Sequence, residues 1–263
     1  MEFKLAKEQI VLKFLQEQFP SYSKEKLEAL IACRQIKIGD ESVVSLNQLF
    51  PSESIITIVE SKYVSRGGEK LEHAIKEFDL KVANLVMLDA GSSTGGFTDC
   101  LLQHGVKLVH AVDVGYNQLD YKLRIDKKVV VHERTNIMKV TTLEPQVDAA
   151  VADLSFRSIT KAASHILSLT KQRWMVALIK PQFEVPKNET GFFGVIENST
   201  LLKDVLIQVY KQLFKEGVFI ISFIESPIRG RKGNREYLAL LSDQNKGLSE
   251  KKFLKLIENL TFN

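Results

Sequence analysis

The sequence has few cysteines and no long apolar run, and both features limit the kinds of protein to which it can belong. Only two cysteines, Cys33 and Cys100, occur in 263 residues, and they lie far apart. That spacing fits neither a disulfide framework nor a cysteine metal site, so we expect reduced thiols in a cytoplasmic protein. The longest apolar run, Trp174 to Ile179, is much too short to cross a bilayer. We therefore expect no membrane span and no bound metal.

The charged start of the chain, Met1 to Glu8, has no apolar segment of the secretory type. Net charge is +4, but it is unevenly distributed. Residues 1–60 carry seven Lys/Arg and nine Asp/Glu, a balance of −2, whereas the remainder carries 29 and 23, a balance of +6. A mildly basic body is compatible with a polyanionic partner and also with ordinary surface charge.

Residues 1–60 predict a small α/β unit. Apolar spacing indicates a helix over 8–18 and a second helix capped by Ser21 or Ser23, followed by strands at 35–38 and 54–60. Four basic residues form its local basic patch: Lys24, Lys26, Arg34 and Lys37. Residues 61–68 are short, polar and glycine-bearing, and we predict a linker there. A second domain then occupies residues 69–263.

Strand and helix patterns alternate through the second domain. After a helix over 69–78, strands are predicted near 84–89, 107–113, 128–132, 147–153, 173–180, 218–225 and 235–241, and helices over 95–104, 117–125, 157–168, 198–216 and 248–260. This order favours a doubly wound, Rossmann-like α/β fold whose seven-stranded sheet is mostly parallel. The last connection is short, which favours an antiparallel final strand.

A glycine turn follows the first of these strands. Asp89 leads into Gly91-Ser92-Ser93-Thr94-Gly95-Gly96, and a helix follows. Glycines let backbone approach a ligand closely, and the helix N-terminus offers free N–H groups. Asp113, which ends the next strand, occupies the position of an acid that binds ribose hydroxyls. The turn therefore predicts a nucleoside-type ligand.

The glycine spacing favours S-adenosylmethionine over a dinucleotide. Nicotinamide-binding folds use Gly-x-Gly-x-x-Gly, and their early second glycine approaches the pyrophosphate. Here that position is Ser93. A nucleoside ligand that carries an amino-acid end and no phosphate fits the turn better. A nicotinamide-dependent oxidoreductase remains an alternative, because the Asp113 position suits it as well.

Four charged residues lie at the predicted ligand edge of the sheet. Asp153 and Lys180 end two parallel strands, and Glu236 stands at the start of the antiparallel one. Lys70, on the helix before the first strand, can reach the same edge. Any one of them alone is compatible with a solvated surface group. Together they can form a half-buried set in which a lysine accepts a proton from an alcohol or stabilises its alkoxide.

Several motifs resemble the TlyA (haemolysin A) family and occur in its order. They are Tyr63-Val64-Ser65-Arg66-Gly67-Gly68-Glu69-Lys70-Leu71, the segment Leu88 to Asp99, Ala111-Val112-Asp113-Val114-Gly115-Tyr116 with Gln118-Leu119, Glu133-Arg134-Thr135-Asn136, Lys180-Pro181-Gln182-Phe183-Glu184, Ser226-Pro227-Ile228-Arg229-Gly230 and Gly233-Asn234-Arg235-Glu236. The resemblance covers about residues 63–241. More loosely, residues 23–31 and 35–40 resemble the core of an S4 RNA-binding domain.

The resemblance implies an S4-like domain joined to an FtsJ-like methyltransferase that uses S-adenosylmethionine to methylate ribose 2′-oxygens of ribosomal RNA, including cytidines. The related enzymes use a Lys-Asp-Lys-Glu tetrad, which corresponds to Lys70, Asp153, Lys180 and Glu236. The expected cofactor residues are Asp89 before the turn, Gly91, Ser92, Ser93, Thr94, Gly95 and Gly96 for the methionine end, Asp113 for the ribose, Thr135 and Asn136 for the adenine, and Asp153.

Ribosomal RNA or ribosomal subunits are accordingly the expected partners. Phosphates near the cleft can be held by Arg66, Arg229, Arg231, Lys232 and Arg235, in addition to the basic patch of the first unit. Two other functions stay open at this point: a non-catalytic binder in ribosome assembly, and a membrane-active haemolysin.

Overall fold

The computed structural model describes residues 1–32, 35–39, 41–58, 62–155, 158–186, 194–230, 232–244 and 247–261. The chain forms two compact units, residues 1–66 and residues 67–263. Each unit has its own hydrophobic core. Among the described residues, no helix is both long and apolar enough to cross a membrane.

The first unit is a small α/β structure. Its helices are α1 (Val11–Gln18) and α2 (Lys24–Ala32), and its strands are β1 (Glu2–Lys4), β2 (Gln9–Ile10), β3 (Ile36–Ile38), β4 (Glu41–Ser42), β5 (Leu49–Phe50) and β6 (Ile55–Ile58). In its described part, an antiparallel sheet has the order β1-β6-β3-β4, and β2 pairs with β5. Helix α1 begins later than predicted because Gln9 and Ile10 pair with Phe50 and Leu49.

The second unit alternates strands and helices. Its strands are β7 (Val86–Ala90), β8 (Leu108–Val112), β9 (Val129–His132), β10 (Ala149–Ala152), β11 (Trp174–Ile179), β12 (Phe219–Glu225) and β13 (Tyr237–Ser242). Its helices are α3 (Gly67–Glu77), α4 (Gly96–Gln103), α5 (Tyr121–Arg124), α6 (Ala163–Ser168), α7 (Pro181–Glu184), α8 (Ser199–Lys215) and α9 (Glu250–Thr261), and short 3₁₀ helices cover Ile137–Lys139 and Ile159–Lys161.

The described strands of the second unit form one seven-stranded sheet with the order β12-β13-β11-β10-β7-β8-β9. Only β13 runs antiparallel to its neighbours. The predicted Rossmann-like fold, with a mostly parallel sheet and an antiparallel last strand, is confirmed. The central strands β7 and β10 are buried along their whole length, because helices cover both faces of a doubly wound sheet.

The register brings the chemically interesting strand ends together. Ala152 pairs with Ala90, so Asp153 follows β10 beside the start of the glycine turn. Ile179 pairs with Tyr237, so Lys180 and Glu236 leave adjacent strands at the same edge. An antiparallel strand begins where its parallel neighbours end, which is why Glu236 precedes its strand while Lys180 follows its own.

The helix predicted over 117–125 is much shorter in the structure. Only α5, Tyr121–Arg124, is α-helical there, and the Asp120 side chain caps it by accepting from the N–H of Lys122. The N–H of Asp120 donates to the carbonyl of Thr94 at 3.2 Å. The residues before α5 are therefore committed to contacts with the glycine turn, and this tertiary demand overrides their helical spacing.

Candidate active site

The turn between β7 and α4 needs its glycines because other parts of the chain press against it. Gly91 has a φ of +85°, and a Cβ there would stand 2.5 Å from the carbonyl oxygen of Asp153. Gly95 has a φ of +93°, and its Cβ would stand 2.3 Å from Cδ1 of Leu123. We expected these glycines to admit a ligand. In the structure they also admit the protein's own atoms.

The carboxylate of Asp113 is fastened to the same turn. Its Oδ2 accepts a hydrogen bond from the N–H of Ser93 at 2.9 Å, and its Oδ1 accepts from the N–H of Gly115 at 2.7 Å. Each carboxylate oxygen has a second lone pair. The half-buried Asp113 therefore holds the turn in place and keeps acceptor capacity for ribose hydroxyls.

The carboxyl group of Asp89 lies fully buried beneath the turn. The hydroxyl of Thr98 donates to its Oδ2 at 2.6 Å, whereas its buried Oδ1 has no hydrogen-bond partner among the described residues. Burial raises the pKa of Asp89 to about 7, because desolvation disfavours the charged form. Asp89 therefore has one oxygen free to accept a hydrogen bond, and the carboxyl group changes between neutral and charged forms near neutral pH.

Lys70 and Glu236 form a buried ion pair. Nζ of Lys70, on α3, donates to Oε2 of Glu236 at 2.5 Å, and their side chains are 11% and 4% exposed. The loop before β13 closes over the carboxylate, since a Cβ on Gly230 would lie 2.6 Å from Oε1 of Glu236. Breaking one partner of such a pair leaves an uncompensated buried charge, which is strongly destabilising.

Lys180 and Asp153 form a second ion pair, more open than the first. Nζ of Lys180 contacts Oδ1 of Asp153 and lies 3.5 Å from the hydroxyl of Ser155. The side chain of Asp153 is 27% exposed. The lysine also stands over the ring of Phe183, 5.7 Å from its centroid. Lys180 itself is only 12% exposed and is held by its neighbours, so the open side of this pair is Asp153.

Thr135 and Asn136 make local hydrogen bonds beside this edge. The Thr135 hydroxyl donates to the carbonyl of Glu133 at 2.9 Å, and its N–H donates to the carbonyl of Asp113 at 2.8 Å. Oδ1 of Asn136 accepts from the N–H of Met138 and caps a 3₁₀ helix. These hydrogen bonds fix the backbone next to Asp113. They do not test the predicted contact with adenine, which stays a prediction.

The donors and acceptors around the turn fit S-adenosylmethionine. The unused oxygen of Asp89 suits an ammonium group, and the acceptors of Asp113 suit a pair of ribose hydroxyls. Within the described part of the chain, no group of three His, Cys, Asp or Glu side chains is arranged to hold a metal ion.

Comparison with known proteins decides the family. The sequence pattern of FtsJ-like methyltransferases matches residues 63–242. The chain is also 41% identical over 222 residues to Hemolysin A of Brachyspira hyodysenteriae. The aligned region covers 82% of this chain and 92% of that protein. The chain belongs to the hemolysin A/TlyA family of FtsJ-like methyltransferases.

Other relatives agree with that assignment. The chain is 36% identical over 236 residues to the 16S/23S rRNA (cytidine-2′-O)-methyltransferase TlyA of Mycobacterium tuberculosis, covering 87% of this chain and 88% of that protein. A solved structure of a Streptococcus thermophilus protein named as a hemolysin superposes with a TM-score of 0.73 at 30% identity, covering 97% of this chain and 96% of that one. The predicted enzyme class, a methyltransferase, and its cofactor, S-adenosylmethionine, are confirmed at the level of the family.

The basic residues predicted to hold RNA differ in what they contact. Arg229 and Lys232 are exposed on the loop before β13. Arg235, by contrast, has internal partners: its Nε donates to Oε1 of Glu225 at 2.8 Å, and its Nη2 donates to Oε2 of Glu225 and to the carbonyl of Leu260. In this hemolysin A/TlyA member, Arg235 therefore fastens the end of α9 to the edge of the sheet at which Lys180 and Glu236 lie.

The remaining predicted RNA contacts are five residues of the first unit and Arg231 of the second. Lys24 is exposed, with its Nζ 4.0 Å from Glu28, while Lys37 and Arg66 are half-buried. Arg34 and Arg231 lie outside the described residues, as does the side chain of Lys26.

Glu184 is a site residue that the sequence reasoning did not single out. It ends the same short helix that Lys180 precedes, and its Oε1 accepts from the N–H of Ile159 at 2.9 Å. Burial raises the pKa of Glu184. It therefore connects the lysine segment with the segment that follows Asp153. Only its place in the Lys180-to-Glu184 motif signalled it, because its partner is a backbone N–H.

Proposed function

We propose that this chain transfers the methyl group of S-adenosylmethionine to a ribose 2′-oxygen of ribosomal RNA, with cytidine as the target nucleoside. One observation carries the proposal: two lysine–carboxylate pairs, Lys70 with Glu236 and Lys180 with Asp153, lie at the strand-end edge that also bears the glycine turn. The name of the Mycobacterium tuberculosis relative supports the choice of nucleoside and position.

Lys180 is the residue that acts on the target hydroxyl. Its ammonium has three donors, of which Asp153 engages one and the Ser155 hydroxyl, 3.5 Å away, engages a second. The third can point to the 2′-oxygen and stabilise the developing alkoxide while the hydroxyl proton leaves to solvent. A Lys180 amine that has first given up a proton to solvent instead takes up the hydroxyl proton itself. Asp153 fixes the direction of the lysine. The buried Lys70–Glu236 pair positions the target nucleotide, and its two charges contribute to the electrostatic potential at Lys180.

S-adenosylmethionine, when bound, supplies a methyl group that is already activated. Orientation therefore accounts for much of the rate enhancement that the chain must provide. The turn at 89–96 and Asp113 hold the donor, and the strand ends hold the acceptor. The fixed register between β10, β11 and β13 keeps these groups in one geometry.

The first unit and the loop before β13 bring the RNA to this edge. We assign an S4-like RNA-binding role to residues 1–60, with residues 61–68 as the linker and 69–263 as the methyltransferase domain. Exposed Lys24, Arg229 and Lys232 are available for phosphates. The proposed substrate implies that the enzyme acts in the cytoplasm on ribosomal subunits or their RNA.

Methyl transfer to purified ribosomal subunits tests the function. Small and large subunits from a strain that lacks this gene are incubated with the full chain and labelled S-adenosylmethionine, and the RNA is digested to nucleosides for mass spectrometry. We expect 2′-O-methylcytidine. Label found only in a methylated base or in ribosomal protein contradicts the proposal.

A further inference from the structure

Exposed apolar side chains are concentrated in one short segment of the second unit. Among its described residues, the exposed large apolar side chains are Phe214 and four that lie within residues 114–125: Val114, Tyr116, Tyr121 and Ile125. Tyr116 is 63% exposed and Tyr121 is 74% exposed. Such a concentration marks an interaction surface, since isolated exposed apolar residues are ordinary but clusters are not.

The chain holds this segment firmly in place. Glu133 accepts from Nη1 and Nη2 of Arg124 at 3.2 and 2.5 Å, and Nζ of Lys122 lies 3.0 Å from Oδ2 of Asp99. The N–H of Asp120 is bonded to Thr94 in the glycine turn. The exposure of the tyrosines is therefore built into the fold and does not come from a loose loop.

Tyr116 and Arg134 form a stacked pair on this surface. Cζ of Arg134 lies 4.0 Å from the centroid of the Tyr116 ring, and both side chains are exposed. The N–H of Arg134 donates to the carbonyl of Gly115 at 2.9 Å, which fixes the two residues relative to each other. A phenol ring and a guanidinium plane are two groups on which nucleic-acid bases stack.

The charge at the two ends of β9 also suits a polyanion. Arg124 and Lys122 are neutralised by Glu133 and Asp99. Lys127, Lys128 and Arg134, in contrast, have no acidic partner among the described residues. Arg134 follows β9, whereas Lys127 and Lys128 precede it, so the two lysines lie at the other end of this four-residue strand, about 13 Å or more from Arg134. The surface thus combines aromatic rings with uncompensated positive charge, as in proteins that bind single-stranded nucleic acid.

We propose that Tyr116 and Arg134 are a stacking platform for an unpaired base of the RNA substrate, and that Lys127 and Lys128, at the other end of β9, hold phosphates of nucleotides farther along the same RNA strand. The inference rests on the proposed function and adds a second RNA contact to it. Because Tyr116 stands three residues after Asp113, the platform lies at the cofactor edge of the sheet. A base held there is separate from the one that presents its ribose to Lys180.

Binding of a fluorescein-labelled, single-stranded 20-nucleotide RNA to the full chain, followed by anisotropy, tests the platform. Tyr116→Ala should weaken binding about 5- to 150-fold, the range expected for losing one base–aromatic stack. Tyr116→Phe keeps the ring and should stay within about twofold of the wild type. The affinity for S-adenosylmethionine, measured by calorimetry, should be the same in all three proteins.

The charge contribution has a matched control. Lys127→Ala/Lys128→Ala should weaken RNA binding and flatten its salt dependence, by about 0.7 in logarithmic slope for each lost phosphate contact. Lys251→Ala/Lys252→Ala removes the same charge from exposed positions of α9. That variant should match the wild type.

Four results would overturn the inference. The first two are wild-type RNA affinity in Tyr116→Ala and failure of the wild type to bind the RNA. The third is an equal loss of S-adenosylmethionine affinity in Tyr116→Ala, which assigns the ring to the adenine. The fourth is a wild-type dimer that Tyr121→Ala dissociates, which assigns the surface to a second copy of the chain. Methyl transfer to ribosomal subunits is measured in parallel. If the wild type methylates them while Tyr116→Ala binds RNA normally, the platform fails and the proposed function stands.

Discussion

The charge of Asp89 should make cofactor binding depend on pH. Its pKa is raised to about 7 by burial, so the fraction that is ionised grows as pH rises through neutrality. The unpartnered Oδ1 then carries more negative charge for the ammonium of the cofactor. We expect the dissociation constant for S-adenosylmethionine to fall between about pH 6 and about pH 8, by up to tenfold for each pH unit below the pKa.

Calorimetric titrations across that range check the expectation. Asp89→Asn cannot ionise and should bind more weakly, with a flat pH profile. Asp99→Asn, a second buried acid on the following helix, serves as the control and should keep the wild-type profile. Equal pH dependence in the wild type and Asp89→Asn would remove Asp89 from cofactor binding. Because the folded-state pKa is raised, the stability that protonated Asp89 contributes to the free protein should be lost as pH rises toward 7.

At the residue scale, positions that follow buried strands could be predicted and side-chain partners could not. Asp113, Asp153 and Lys180 stand at the carboxyl ends of strands, and the sequence marks those ends where an apolar run stops. The contact of Arg235 with the carbonyl of Leu260 depends on how α9 packs, which no local pattern encodes. The stack of Arg134 on Tyr116 likewise joins two separate strand ends.

At the scale of elements, the glycine turn depends on its fit against α5. Gly95→Ala would place a Cβ 2.3 Å from Leu123 and force an alanine into a φ of +93°. We expect a loss of about 1–3 kcal/mol in the free energy of unfolding, together with weaker S-adenosylmethionine binding. Chemical denaturation and calorimetry measure the two effects.

Two further substitutions separate crowding from backbone strain. Gly217→Ala has a φ of +73° with nothing within 4 Å of the added Cβ, so it should show the strain alone and leave cofactor affinity unchanged. Leu123→Ala combined with Gly95→Ala should recover part of the affinity, because it removes the nearer of two clashing methyl groups and leaves Cδ1 of Leu119 at 2.8 Å. No recovery in the double variant, with full stability in Gly95→Ala, would mean that α5 does not constrain the turn.

Elements themselves were predicted well where periodicity reflects burial. The strands of the second unit are continuous apolar runs, and all seven lie within a few residues of their predicted positions. The prediction of a helix over 117–125 was wrong in length, because the N–H of Asp120 donates to the carbonyl of Thr94 and the helix begins only at Tyr121. The short strands β2 and β5 were missed, since two paired residues leave no periodic signal.

At the scale of the whole molecule, we assign RNA binding to the first unit and methyl transfer to the second. Residues 1–66 carry nine Lys/Arg and nine Asp/Glu, whereas residues 67–263 carry 27 and 23, so the second unit holds the whole net charge of +4. The methyltransferase pattern begins at residue 63. A chain without residues 1–60 should therefore keep its affinity for S-adenosylmethionine and lose affinity for ribosomal subunits, because the proposed S4-like contacts are gone.

Calorimetry with the cofactor and sedimentation with ribosomal subunits measure these two affinities. Lys24→Ala in the full chain is the milder companion variant, and it should reduce subunit binding by a smaller amount. Subunit binding that is unchanged in the shortened chain would assign RNA recognition to the second unit alone. The overall fold class was predictable because βα alternation dictates it, whereas the RNA role of the first unit was inferred from resemblance and not from packing.

In the proposed mechanism, Lys180, paired with Asp153, acts on the 2′-hydroxyl of the substrate. The most direct measurement compares methyl transfer to ribosomal subunits with S-adenosylmethionine binding in Lys180→Ala. We expect the transfer rate to fall by about 10²- to 10⁴-fold, the usual contribution of a general acid–base group, while the dissociation constant of the cofactor stays within about twofold. Full methyl transfer by Lys180→Ala, or a loss of activity that only follows a loss of cofactor binding, would contradict the account.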